Sequence, residues 1–203
     1  MDERGKRVNT YTVEVFMSKE DSKKRQTFSR YMKDISLQAK EQDPFLPTDV
    51  KVNKCSYTMT LKDSFGKVEK WLIIQQIGFE KSVEPSILDA FKKQQLGMLP
   101  RGGVACLLES NSPKKEMVGK KRAYCFLPLP FETDLPVHVN GHFALDHEAR
   151  RNFWRDEAGG YRTEWNNSLL CDVITSCYLT LLDEVRGFLQ LPVMQDSTPC
   201  NLK

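Results

Sequence analysis

The sequence predicts an α+β fold: a mixed β-sheet packed with helices and followed by a long C-terminal helix. Three patterns carry that expectation. Residues 55–62 alternate strictly between apolar and polar and return as a second strand over 68–77. Strand and helix signals alternate before that hairpin. From Leu170 to Phe188, apolar residues recur at three- and four-residue spacing.

Tyr11, Val13, Val15 and Met17 alternate with Thr12, Glu14 and Phe16, the period of a half-buried strand. A helix should follow, because Ser18 with Asp21 offers an acid-bearing start and Phe28, Tyr31, Met32 and Ile35 recur at helical spacing. Pro44 and Pro47 end it. Cys55, Tyr57, Met59 and Leu61 then point one way and Ser56, Thr58, Thr60 and Lys62 the other. Residues 63–66 form a glycine-containing hairpin loop, and 68–77 return as a more buried strand.

Pro85 suits the first turn of a short helix through Ile87, Leu88, Phe91 and Leu96, with Gly97 placed to terminate it. Residues 104–108 read as a strand whose partner, across an exposed loop at 109–121, is 122–127. Pro128, Pro130 and Pro136 break regular pairing, so that partner should end at a sheet edge or in a loop. Residues 137–145 resume extended structure as one strand, with a tight turn at Asn140-Gly141 as the alternative. Asp146 can cap a short helix through Trp154, and Gly159-Gly160 opens a turn.

The last helix starts near Thr163 or Glu164. Leu170, Ile174, Cys177, Leu181, Val185 and Phe188 form its stripe, widened by Leu169, Val173, Tyr178 and Leu182, which implies burial on more than one side. The expected organisation is a sheet domain over 1–162, a helix over 163–192 that packs on it or starts a helical lobe, and a flexible tail over 193–203.

Bulk properties narrow the function classes. With 40% hydrophobic and 28% charged residues, the 203-residue chain can bury a sizeable core, and a net charge of only +3 supplies no strong field for nucleic acid or an anionic membrane. Six scattered cysteines lack metal-knuckle or redox spacing, which points to reduced, mostly buried thiols in a cytoplasmic protein. The polar start lacks a signal-peptide core, and no run approaches the roughly 20 apolar residues of a membrane span. Its closeness to a first strand also suits a fragment of something longer.

The chemistry-bearing letters argue mostly for structure. In an extended strand His138 and His142 stand roughly 13 Å apart, poor spacing for joint ligation of zinc. His147 follows in another element, and Arg151 occupies the place where HExxH needs its second ligand, so a metal-dependent hydrolase is the least favoured reading. Val137, Val139, Phe143 and Leu145 share a strand face with Gly141, whose bare Cα permits close approach of another backbone or a bulge. No GxSxG elbow, GxxxxGK[ST] or GxGxxG occurs, and 100–103 reads as a turn before a strand. Lys114, Lys115, Lys120, Lys121 and Arg122 read as a solvated hairpin tip, or as a loop presenting charge to a phosphate on a neighbouring domain.

Four segments, CFLPLP (125–130), LPVHVNGHFALD (135–146), EARRNFW (148–154) and TEWNNSLL (163–170), together resemble the repeating region of the sacsin family of co-chaperone-like proteins. The signature positions are Pro128, Pro136, His138, Asn140, Gly141, Phe143, Arg150, Arg151, Trp154, Trp165 and Asn166. In that family each repeat begins with an ATP-binding module similar to the heat-shock chaperone ATPases, and this chain resembles the segment immediately downstream of that module. The ExxDN, DxGxG and glycine-lid boxes of such a module are missing here. The resemblance therefore implies a transducer- or middle-domain-like segment that is not itself an enzyme, with no cofactor of its own and ATP reached only through an adjoining domain. It implies chaperone modules or client proteins as partners, and it makes Arg101, Lys114, Lys115 and Lys120 candidates to touch a neighbour's terminal phosphate. On this reading the histidine-bearing run is a family signature rather than an active site.

Overall fold

The computed structural model describes residues 10–112, 121–146, 153 and 160–189. Strand β1 (Val13–Phe16) leads into helix α1 (Lys19–Glu41), then come β2 (Asn53–Asp63), β3 (Val68–Ile77), α2 (Pro85–Lys92), β4 (Arg101–Ser110), β5 (Lys121–Cys125), β6 (Leu127–Thr133) and β7 (His138–Gly141). The chain closes with α3 (Tyr161–Ser168), a π-helical turn (Leu169–Ile174) and α4 (Thr175–Phe188). The described strands form one seven-stranded sheet in the order β1-β2-β3-β4-β7-β5-β6. Among them only β5 and β7 run parallel, so the sheet is mixed and the α+β class holds.

Local chemistry explains the N-terminal half. Ser18 caps α1: its Oγ accepts the Asp21 N–H at 2.9 Å and donates to the Asp21 carboxylate at 2.8 Å. In the β2–β3 hairpin the Asp63 carboxylate accepts the Phe65 and Lys67 N–H groups, both at 2.9 Å, while Gly66 takes φ +85°, which L side chains rarely adopt. Pro85 sits in the first turn of α2. That helix ends at Lys92, earlier than the sequence suggests, because Gln94 rather than Gly97 adopts the left-handed conformation (φ 56°). The Gln94 and Gln95 N–H groups then satisfy the carbonyls of Phe91 and Ala90.

Two hydrophobic clusters lie on opposite sheet faces. Phe28 and Ile35 of α1 pack with Cys55, Tyr57 and Ile77 on one. On the other, Leu72, Ile74, Val104 and Val139 meet Ile87 and Phe91 of α2 and Trp165, Leu169, Val173, Cys177 and Leu181 of the last helices. The C-terminal helix begins at Tyr161, packs on the sheet and carries a six-residue π turn. The inserted residue lets Leu169, Val173 and Ile174 all face inward, which accounts for the breadth of the stripe. Leu182 and Phe188, counted in that stripe, are exposed instead.

The second half departs further from expectation. β4 and β5 are not paired, because β7 inserts between them, antiparallel to β4 and parallel to β5. The predicted strand 122–127 breaks at Phe126, whose φ of +61° turns the chain so that β5 and β6 pair as a hairpin. Pro128 and Pro130 do not end the pairing: both lie within β6, and as the outermost strand it needs ladder donors on one side only. Residues 137–145 are not one strand, since the ladder stops at Gly141 and Leu145 makes an isolated bridge to Phe153. Asn140-Gly141 makes no hairpin either, as both residues pair with β4. Residues 101–103 belong to β4 rather than to a turn. All four residues of β1 are exposed where half-burial was expected, because the strand lies at the sheet edge. The predicted helix after Asp146 and the tail after Pro192 lie outside the described residues.

Candidate functional site

The alternation through residues 137–143, with β7 at its centre, sends side chains to opposite faces. Val137, Val139 and Phe143 enter the core, at 0%, 4% and 2% exposure, whereas His138, Asn140 and His142 line the other face. Helix α1 packs on β2 and leaves the β4–β7–β5 part of that face open. The result is a cleft of about 640 Å³, a volume ordinary for small-molecule sites. Phe28, Ser29 and Met32 of α1 form one wall, Gly103 and Ala105 of β4 contribute to the floor, and Tyr124, Phe126, His138 and His142 form the opposite wall. Gln75, Arg101 and Asn140 add polar groups.

Arg101 is half-buried, and its guanidinium lies over the Phe126 ring at 4.7 Å. Burial pushes its pKa down, and no ion pair reaches it among the described residues. Phe126 also meets His142 edge-on at 5.5 Å. The His142 Nδ1 accepts the Leu99 N–H at 3.1 Å, and burial, followed by the Arg101 charge, lowers its pKa to about 4. His138 Nδ1 accepts the Arg122 N–H at 3.1 Å, and its ring packs against Trp71 and Tyr124, each at 5.6 Å. Burial and then the Lys121 charge lower its pKa too. Both imidazoles are therefore neutral at pH 7, and each has one nitrogen committed to the main chain.

Behind the cleft, Trp165 and Asn166 fasten the chain that leaves β7. Trp165 is fully buried against Phe79 and Phe91, and its Nε1–H donates to the His142 carbonyl at 2.9 Å. Asn166 closes a two-bond ring with Ala144: its Oδ1 accepts the Ala144 N–H at 2.8 Å and its Nδ2 donates to the Ala144 carbonyl at 2.9 Å. These bonds replace the sheet ladder that 142–144 have left. Gly141 is bare because a Cβ there would stand 2.6 Å from the Phe143 ring, so the close neighbour is a side chain two residues on rather than another backbone.

The structure thus brings Arg101, His138, Asn140 and Gly141 to one cleft together with His142, and makes Phe143, Trp165 and Asn166 structural. Pro128 and Pro136 are exposed, in β6 and in the bend before β7. Lys114, Lys115, Lys120, His147, Arg150, Arg151 and Trp154 lie outside the described residues. The run read as a signature alone therefore also lines the cleft, and the phase of its alternation already carried that signal. Gln75, Tyr124 and Phe126 were missed, since nothing local marks them as neighbours of β7. Among the described residues no group of three or more His, Cys, Asp or Glu side chains is placed to hold a metal ion. Burial raises the thiol pKa of Cys55, Cys106 and Cys125, and pushes Cys177 to about 12, which keeps these four protonated.

A mixed sheet with helices on both faces, and with the HVNGH run presented between core and cleft, is the setting of the sequence signature, and the chain is a sacsin-like protein. It is similar to human sacsin, 46% identical over 141 residues, which is 68% of this chain and 3% of the human protein. The chain thus spans about 3% of the length of the relative it matches. No protein-family model and no solved structure matches it.

Proposed function

We propose that this chain is a non-catalytic interaction module of a sacsin-like chaperone or co-chaperone, coupling an upstream ATP-binding module to downstream regions. The observation that carries the reading is the sheet edge at β1, which no other described strand covers. Along β1 the side chains of Val13, Val15 and Phe16 are 45%, 55% and 52% exposed, and Tyr11 stacks on the exposed Phe65 beside them. An apolar strand edge open on both faces is a surface suited to another protein. Other modules of the same machine, or client proteins in the cytoplasm, are the partners this reading implies. Nucleic acid and membrane are not among them, and no described helix is long and apolar enough to cross a bilayer. A binding role for the cleft is supported by its described lining, which carries no carboxylate and in which each histidine has one ring nitrogen bonded to the main chain. Any nucleotide acts through the adjoining domain.

Titration of the chain with the purified ATP-binding module of a sacsin-like repeat tests the coupling. Val15→Lys combined with Phe16→Glu should weaken association at least tenfold while leaving the melting temperature unchanged. An unaltered affinity, or ATP hydrolysis by the isolated chain, would overturn the proposal. A second reading, in which the chain lends a cation to a neighbour's terminal phosphate, is favoured by the Arg101 guanidinium, which no described acid pairs. It requires Arg101→Gln to slow ATP turnover by the joined modules.

A further inference from the structure

An interaction role along β1 leaves the cleft unexplained, and Arg101 is the residue there that most needs an explanation. A half-buried guanidinium is costly to hold without a counter-charge, yet its contact among the described residues is the Phe126 ring rather than an acid. The ring covers the guanidinium while no described residue accepts its N–H groups. Phe126 itself is held in a left-handed conformation (φ 61°) and remains 65% exposed, so the chain bears strain there and gains little burial in return. Neighbouring polar groups of the described lining add no second cation, because His138 and His142 are both neutral.

Beside the polar Gln75 and Asn140, the cleft is lined by rings and small residues. Gly103 and Ala105 leave the β4 floor low, with Phe28 and Met32 on one side and Tyr124 and His138 on the other. Arg101, the one cation in the described lining, matches a single negative charge on an aromatic body. Phosphate, with close to two charges at neutral pH, would be met by one cation only, whereas a carboxylate pairs with one guanidinium through two parallel hydrogen bonds.

We infer that the cleft binds an aromatic carboxylate, its anionic end on Arg101 and its ring over Gly103 and Ala105 between α1 and the Tyr124–His138 wall. Such a group is supplied either by a free acid or by the C-terminal residue of a peptide. The site lies across the sheet from the β1 edge, so its failure would leave the interaction reading standing, and the reverse holds too.

Calorimetry on the full chain with indole-3-acetate and indole-3-acetamide, and with an acetylated tetrapeptide ending in phenylalanine as free acid and as amide, tests the inference. At least one acid should bind tenfold or more tighter than its matched amide, and which pair shows the difference identifies the source. Arg101→Gln, confirmed as folded by its melting curve, should abolish that factor without changing the amide affinity. Equal affinity of acid and amide in both pairs, absence of binding by all four, or tighter binding of inorganic phosphate than of either acid would overturn it.

Discussion

Asn166 joins the strand-leaving segment to α3, and replacing it tests whether that pairing holds the architecture together. The side chain and Ala144 are 4% and 5% exposed, so the Ala144 N–H and carbonyl, bonded at 2.8 and 2.9 Å, have no water to replace the amide. Leaving two buried main-chain groups unpaired costs about 1–3 kcal/mol each, so Asn166→Ala should lower stability by about 3–5 kcal/mol after partial relaxation. Asn166→Asp keeps the shape and the acceptor, but at neutral pH sets a carboxylate against the Ala144 carbonyl. Burial and that carbonyl both favour the protonated acid, so the introduced group has a folded-state pKa above its unfolded value of about 3.9. The folded state then binds more protons than the unfolded one between those two values. The variant should therefore regain stability as pH falls through the folded pKa, by up to about 1.4 kcal/mol per pH unit, levelling near pH 4. Urea unfolding of wild type and both variants between pH 4.5 and 7.5 measures this. A cost below about 0.5 kcal/mol for Asn166→Ala, or parallel pH profiles for the two variants, would refute the pairing.

Phe143→Ala should cost about 3–5 kcal/mol, since the ring is 2% exposed, fills the space above Gly141 and meets Phe153 at 4.6 Å, whereas His138→Ala on the cleft face should cost much less. Equal shifts in a thermal melt would show the two faces of β7 to be misassigned. His142 has a folded pKa of about 4, depressed below the ordinary value of 6.5, so it adds stability that is present above pH 6.5 and lost as pH falls toward 4. His138, also depressed, acts in the same direction. Combined replacement of both histidines by glutamine should flatten the wild-type decline between pH 6.5 and 4 in urea titrations, and an unchanged slope would contradict the assigned burial.

Local patterns announced much of the fold. The Ser18 cap, the strict alternation of β2 and the Asp63–Gly66 turn depend on residues within a few positions of one another, so the sequence displays them directly. Over residues 138–143 the alternation separated Val139 and Phe143 from His138 and Asn140 correctly. It did not show what the polar face would meet. His138 reaches Trp71 and Arg122, and His142 reaches Leu99 and Phe126, contacts that depend on strand order.

By itself the sequence determined the α+β class, the hairpin of β2 and β3, the inward stripe of the last helix and the sacsin-like signature, because each is written in local spacing or composition. Only the tertiary structure decided that β7 lies between β4 and β5, and that insertion sets the histidine-bearing strand beside Arg101 and opens the cleft. The physical reason is that a period of two residues fixes which side of a strand is buried but carries no information about which strand lies beside it. Neighbours in a sheet are chosen by long-range packing, here by Trp165 and Asn166 drawing residues 142–144 onto α3 while Val139 completes the core.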